Sequence, residues 1–347
     1  MRGLRKYLTP FAPDQSGAVS VLFELGGIVV ICDAGGCTGN VCGFDEPRWF
    51  EQKSAIFSAG LRDMDAILGR DDRLVAKLAD VVQKIDATFA AVIGTPVPAV
   101  IATDYLALKR MSEKKIKLPI LTVDTDGMEL YDKGEEKAFA ELFKTFAIEK
   151  YPVEERRIGV LGMTPQDVSD LAAADKIRAL YQQKYDLQAV CYCMGDGLEE
   201  IREASSVSKN IVVSPAALMT AKYLEKTFGT PYEIHYPLVD ELIPDVDYTG
   251  KEVLIVHQQV IANSIRKELL KKGAKRVQIA SWFMMKKELL ADGDVLLRDE
   301  DVYIELVKNG DFDVIFADGC MERMIPEFKG IFVDTRHFAV SGKLIGK

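Results

Sequence analysis

The sequence predicts an α/β protein of parallel sheets wrapped by helices. Short apolar runs rich in Val and Ile alternate with longer stretches of helical period through most of the chain, the rhythm of strand–helix–strand units. A length of 347 residues exceeds what one core usually holds, so two or three domains follow. With 48% hydrophobic and 28% charged residues, and 26 Gly and 13 Pro dispersed along the chain, the composition excludes disordered, collagenous and disulfide-stapled classes.

In order, residues 18–25 and 28–32 read as strands, and 55–57 as a further short one. Residues 70–85 carry Leu74, Leu78, Val81, Val82 and Ile85 at helical spacing, and 90–94 form a buried strand. Residues 98–111 read as a helix, 120–123 as a strand and 133–146 as a helix. The polar stretch 150–157 marks a boundary. A second unit runs through strand 158–161, helix 167–185, strand 189–193, helix 198–204, strand 210–213 and helix 215–228. Residues 237–251, with two prolines, mark another boundary. Strands 253–256, 277–280 and 314–317 follow, with a helix at 260–272 that Gly273 ends. The expected domains are 1–150, 151–245 and 246–347. In such sheets ligands gather at the carboxyl ends of strands.

Asp and Glu outnumber Lys and Arg by 53 to 44, a net charge of −9, and the cations form no stripe. Nucleic acid and anionic membranes are therefore not expected partners. The apolar run 19–31 is broken by Glu24, Gly26 and Gly27, so it reads as buried structure rather than a signal or a span. A reducing cytoplasm is the expected location, where thiols serve packing, metal binding or catalysis more than bridging.

The segment Cys32-Asp33-Ala34-Gly35-Gly36-Cys37-Thr38-Gly39-Asn40-Val41-Cys42-Gly43 sets three thiols at even spacing just after a strand. Thiolates are soft ligands suited to iron–sulfur clusters and zinc, and a glycine-rich backbone can wrap a cluster while offering N–H groups to its sulfides. Cys32 ends an apolar run and reads equally as a core residue. Cys37 and Cys42, flanked by glycine, read as metal or redox thiols; the spacing disfavours zinc.

Cys191 and Cys193 alternate along a strand, so one face would hold both and a core role is favoured, with a site at the strand's end the alternative for Cys193, since Met194-Gly195-Asp196-Gly197 follows it. Cys320 follows Asp318-Gly319 after another strand, with the same ambiguity. His235, His257 and His337 are the three histidines, too few for a multi-histidine centre; His257 after a strand and His337 beside Arg336 are the candidates for a role. Asp124, Asp126 and Asp196 follow strands and read as solvated loop carboxylates. Neither a Walker-type phosphate loop nor a nucleophile elbow occurs, so the chain is not expected to hydrolyse ATP.

Several stretches together resemble one family. Cys32-Asp33-Ala34-Gly35-Gly36-Cys37 stands where its His-Gly-Pro-x-Gly-Cys cluster loop would be, and Phe57-Ser58-Ala59-Gly60-Leu61 to Gly69 resembles an SSGLSE…IFGG stretch. Ile93-Gly94-Thr95-Pro96-Val97-Pro98 to Asp104 resembles TTCVPEIIGDD, and Ile158-Gly159-Val160-Leu161-Gly162 resembles an NIIG strand. Asn210-Ile211-Val212-Val213 to Gly229-Thr230-Pro231-Tyr232 resembles NLVVS…AEYLEERFGIPY. These are similar to the component 1 family of nitrogenase-like oxidoreductases: dinitrogenase subunits, cofactor-assembly scaffolds and catalytic subunits of dark-operative protochlorophyllide and chlorophyllide reductases. The sequence also departs from it. The cysteine of TTCVPE is Pro96, the loop histidine is Cys32, and Cys42 is an added thiol. Ser214 stands where the dinitrogenase catalytic subunit holds its large cofactor by cysteine, so dinitrogen reduction is not expected. His337, with Ser341-Gly342 after it, is similar to the family's C-terminal histidine region at a different spacing.

The resemblance implies three Rossmann-like domains, each a mainly parallel sheet flanked by helices, around an interdomain cleft. It implies a dimer with itself or a homologous subunit. It implies that Cys32, Cys37 and Cys42 hold an iron–sulfur cluster of the [4Fe-4S] type, tuned by N–H groups of Gly35, Gly36 and Gly39. The fourth ligand would come from a partner chain or from Asp33. Electrons would arrive from a separate ATP-dependent iron protein and reduce a small-molecule or tetrapyrrole-like substrate in the cleft. The alternatives are a non-catalytic scaffold or carrier for a metallocluster or tetrapyrrole, and a protein that binds a small organic ligand with merely redox-sensitive thiols.

Overall fold

Thirteen short strands form three parallel sheets in the computed structural model, which describes residues 5–52 and 54–346. The first contains β1 (Ile28–Ile31), β2 (Ala55–Ser58), β3 (Ala90–Ile93) and β4 (Ile120–Val123), in the order β2-β1-β3-β4. The second contains β5 (Glu154–Leu161), β6 (Gln188–Cys191), β7 (Val207–Val212) and β8 (Tyr232–Ile234), in the order β6-β5-β7-β8. The third contains β9 (Glu252–Val256), β10 (Arg276–Ser281), β11 (Val295–Leu296), β12 (Val314–Ala317) and β13 (Ile331–Asp334), in the order β11-β10-β9-β12-β13. Strands β8, β11 and β13 are short or polar and carry no periodic signal.

The apolar runs are explained by burial on both faces, as a helix-covered parallel sheet requires. Along β1, Val29 and Ile31 join the core shared with the Tyr131–Phe146 helix, whereas Ile28 and Val30 face Leu74 and Leu78 of the Asp71–Val82 helix. The first of these cores continues into the second sheet through Leu161, Val190 and Val212. Another joins Ile158 and Val160 of the second sheet to Val253 and Ile279 of the third. The three sheets thus meet through continuous apolar packing.

One expectation is corrected. Residues 18–25 are not a strand; Asp14–Leu22 is a helix in which every residue is buried. Complete burial removes the one-sided pattern that marks most helices. It lies directly on the Tyr131–Phe146 helix because glycines permit it: a Cβ on Gly17 would sit 1.9 Å from the Tyr131 carbonyl oxygen, and one on Gly134 1.7 Å from that of Asp14.

Two expected helices are each divided. Residues 98–111 become Pro96–Val100 and Tyr105–Lys115, separated at Ala102 (φ 54°), with the Asp104 side chain capping the second. Residues 167–185 become Pro165–Val168 and Ala173–Tyr185, separated at Ser169 (φ 56°). Ser169 then ties the second sheet to the third: its hydroxyl accepts from Phe338 N at 2.7 Å, and its carbonyl from Ile345 N at 2.7 Å. Among the described residues, no helix is long and apolar enough to cross a membrane.

Candidate functional site

The glycine-rich loop leaves the carboxyl end of β1, and Asp33 sets its course. The Asp33 carboxylate accepts from Thr38 N at 2.8 Å, Thr38 Oγ1 at 3.0 Å and Ser58 Oγ at 2.6 Å, which fold the loop back and tie it to β2. Both its oxygens are engaged, so it acts as the loop's organiser rather than a spare ligand. Gly35, at φ 118°, makes the turn into the short Gly36–Asn40 helix, which continues into the π-turn Val41–Asp45. A Cβ on Gly35, Gly36, Gly39 or Gly43 would meet nothing within 4 Å, so this flank of the loop is open.

The structure separates the three thiols. Cys37 and Cys42 are half-buried against the core that contains Val29 and Ile31. Cys32, 3% exposed, continues the alternation of β1 onto the other face among Val30, Ala59 and Leu74. Burial, with Asp71 and Asp33 nearby, pushes its thiol up to about 12. The thiols of Cys37 and Cys42 are also raised, by burial and then by Asp33 and Glu46 respectively. Among the described residues, no three His, Cys, Asp or Glu side chains are grouped to hold a metal ion. Within one chain, the loop therefore offers two thiols beside an open glycine surface, and the donor set for a four-ligand cluster is incomplete.

The other cysteines are packing residues or lie apart. β6 ends at Cys191, whose side chain joins the core between the second and third sheets; Cys193, in left-handed conformation at φ 66°, turns into the core between the first and second. They do not share a face. Cys320 follows β12, its N–H donating to Asp318 at 3.0 Å. Asp124 is exposed and paired with Lys137 at 3.2 Å, Asp126 accepts from Met128 N, and Asp196 accepts from Cys191 N and Arg178.

A second constellation sits where the carboxyl ends of the three sheets meet. Tyr131 follows β4, Asp167 follows β5, and His257 and His337 follow β9 and β13. Tyr131 Oη donates to Asp167 Oδ1 at 2.5 Å and meets His337 Nε2 at 2.8 Å. His337 N donates to Asp318 at 3.0 Å, and its ring stacks on His257. His257 Nδ1 accepts from Gln258 N at 2.8 Å, which assigns its proton to Nε2, facing the Arg336 carbonyl at 3.3 Å. Glu135 accepts from Thr164 Oγ1 at 2.5 Å and leaves Oε2 without a partner.

Burial dominates the electrostatics here. It pushes Asp167 up to about 7, despite the opposing hydroxyls of Ser214 and Tyr131. It holds Glu135 well above its ordinary range, with Asp167 adding to the effect. It presses His257 down to about 4, and His337 well below its usual value, the latter aided by His257. Burial thus raises two carboxyls and lowers two imidazoles within one junction. Tyr131, Asp167, Ser214, His257 and His337 are all buried, so the centre of the expected cleft is filled by side chains. Sequence reading missed Tyr131, Glu135 and Asp167, although their position after strands was the available signal.

Beside this closed centre lies a cavity of about 1020 Å³. The segment 9–13, the cysteine loop through Asn40, Phe44 and Asp45, and residues 338–344 form its walls.

The sequence profile of the nitrogenase component 1 type oxidoreductases matches residues 14–240. The nitrogenase iron-molybdenum cofactor biosynthesis protein NifE of Clostridium pasteurianum is 23% identical over 284 residues, covering 80% of this chain and 56% of that protein. Its counterpart in Bradyrhizobium diazoefficiens is 22% identical over 185 residues, 51% of this chain and 32% of that protein. The chain thus spans about half, or less, of the length of these curated relatives. In structure it is similar to nitrogenase Cp1 at pH 6.5, with a TM-score of 0.71 at 13% identity over 96% of this chain and 87% of that one. The same protein at pH 5 gives 0.69 at 15% identity, over 96% and 84%.

Proposed function

The chain belongs to the nitrogenase component 1 type oxidoreductase family, and from that premise we propose that it is a scaffold or carrier in metallocluster assembly, working as a pair of subunits. The observation that carries the reading is the incomplete donor set: two half-buried thiols, Cys37 and Cys42, at an open glycine surface with no third ligand grouped beside them among the described residues. Two such loops facing each other supply four thiolates, the number a [4Fe-4S] cluster takes. Such a cluster, when bound, brings redox capacity to the interface. The residues' own contributions are the thiolates, the N–H groups of Gly35 and Gly36, and the Asp33 scaffold, whereas the Gly39 N–H already donates to the Gly35 carbonyl oxygen at 3.1 Å.

The surface around the loop supports pairing. Phe44 and Phe50 are 76% and 77% exposed, and Ile67, Val100, Leu106 and Met128 also face outward in the segments that follow β1 to β4. Apolar residues exposed together mark association surfaces. The names of the curated relatives support assembly rather than finished catalysis, as does Ser214 in the closed junction.

The second reading is a reductase that takes electrons from an ATP-dependent iron protein and passes them to a small-molecule or tetrapyrrole-like substrate; the cavity beside the loop favours it. Protein prepared without oxygen and loaded with iron and sulfide separates the two. A scaffold transfers its cluster to an apo-acceptor without turnover. A reductase shows turnover that needs substrate, ATP and the iron protein, and that result would overturn the proposal.

A further inference from the structure

We propose that residues 5–12 form a latch that seals the Tyr131–Asp167–His337 junction, with Glu300 as its catch. The segment contains no helix or strand; Arg5, Lys6, Tyr7, Thr9 and Pro10 face solvent, and only Leu8, Phe11 and Ala12 are buried. Its base is fixed beside the first sheet, where Tyr131 N donates to the Ala12 carbonyl oxygen at 2.9 Å and Asp14 N to that of Glu129 at 3.0 Å. Its other end reaches the helix Glu300–Asn309 beside the third sheet. There the buried Glu300 carboxylate accepts from Lys6 N at 2.7 Å, Tyr7 N at 3.0 Å and Leu8 N at 2.8 Å. One carboxylate thus holds three successive amides by charge-assisted bonds, so a change at that one side chain acts on all three.

The seal runs through two aromatic rings. Phe11 packs on Phe283 with 5.3 Å between centroids, and Phe283 in turn lies against Tyr131 at 5.0 Å and His337 at 4.7 Å. Lifting the segment bares Phe283, the ring that packs on both residues joined at the Tyr131 hydroxyl. A stretch with mostly exposed side chains and three buried ones opens more readily than the packed strands behind it. The latch is therefore the part of the junction's wall that opens first, and solvent reaches His337 by that route. This goes beyond the cluster reading, because it concerns the junction and involves none of the thiols.

Hydrogen exchange on the purified full chain, read by mass spectrometry, tests it. In the parent chain the amides of residues 6–8 are expected to exchange faster than those of β9 and β12. Glu300→Gln keeps the side chain's shape and removes its charge. It should speed exchange of residues 6–8 and of the His337 C2 proton by a like factor, about tenfold, while β9, β12 and the C2 proton of His235 keep their rates. Asp301→Asn, which removes only the exposed pair with Lys6, should move neither rate. Should Glu300→Gln fail to fold, the parent chain in low urea decides: residues 6–8 and His337 should accelerate together, with a shallower dependence than the strands. Residues 6–8 exchanging only at the strand rate overturn the latch. His337 unmoved while residues 6–8 accelerate overturns the seal, and equal acceleration by Asp301→Asn overturns Glu300 as the catch. None of these readouts involves iron, so failure here is distinct from failure of the cluster proposal.

Discussion

The imidazole rings of His257 and His337 lie face to face, their centroids 4.4 Å apart and their planes 9° from parallel. They follow β9 and β13, the strands on either side of β12, so the third sheet's topology creates the pair. Burial lowers the affinity of both rings for protons, and for His337 the neighbouring His257 lowers it further.

A first prediction follows for acid. His257 is held neutral down to about 4, whereas an unfolded histidine takes its proton near 6.5. The unfolded chain therefore binds more protons in that window, and this contribution to stability is lost as pH falls from 6.5 toward 4. Urea denaturation of His257→Asn should lose about 2 kcal/mol less than the parent chain between pH 7 and pH 5.

Asp167 acts in the opposite direction. Its carboxyl is raised to about 7, against 3.8 in an unfolded chain, so the folded state holds the extra proton. That contribution is present at low pH and is lost as pH rises through 7. Asp167→Asn should remove on the order of 2 kcal/mol of the stability loss between pH 5 and pH 8, while keeping an oxygen for Tyr131. The same urea series measures it.

Tyr131 is the bridge between two buried partners, Asp167 and His337. Tyr131→Phe leaves Asp167 Oδ1 and His337 Nε2 buried without their shared hydroxyl, and should destabilise the protein by about 2–3 kcal/mol. The loss, read from the urea midpoint at pH 7, should shrink in the double variant with Asp167→Asn.

The thiols should divide by accessibility. With brief exposure of the metal-free chain to iodoacetamide, Cys37, Cys42 and Cys320 should be modified first, and Cys32, Cys191 and Cys193 only on unfolding. Peptide mass spectrometry gives the order.

Much of the fold was legible because buried parallel strands are short Val- and Ile-rich runs: β3, β4, β9 and β12 lie where their apolar patterns place them. The Asp14–Leu22 helix was not legible, since Val19 and Val21 favour strands and burial on every side erases helical contrast. The divisions at Ala102 and Ser169 were hidden for another reason: neither is a glycine, yet both adopt positive φ under tertiary constraint. The cysteine loop was legible as a loop, but even spacing along the chain concealed that Cys32 still obeys the alternation of β1 and so packs in a different core from Cys37 and Cys42. The junction of Tyr131, Asp167 and His337 draws on three sheets, and no local pattern connects residues 206 apart in sequence.

Cys37 and Cys42, and not Cys32, are proposed to serve a cluster shared between two chains. Iron and acid-labile sulfide analysis of anaerobically prepared protein, with electron paramagnetic resonance after dithionite reduction, tests it most directly. About four irons per pair of chains and a reduced-state signal are expected for the parent chain and for Cys32→Ser, with both absent from the Cys37→Ser, Cys42→Ser double variant. Iron retained by the double variant, or lost with Cys32→Ser while the protein stays folded, would contradict the account.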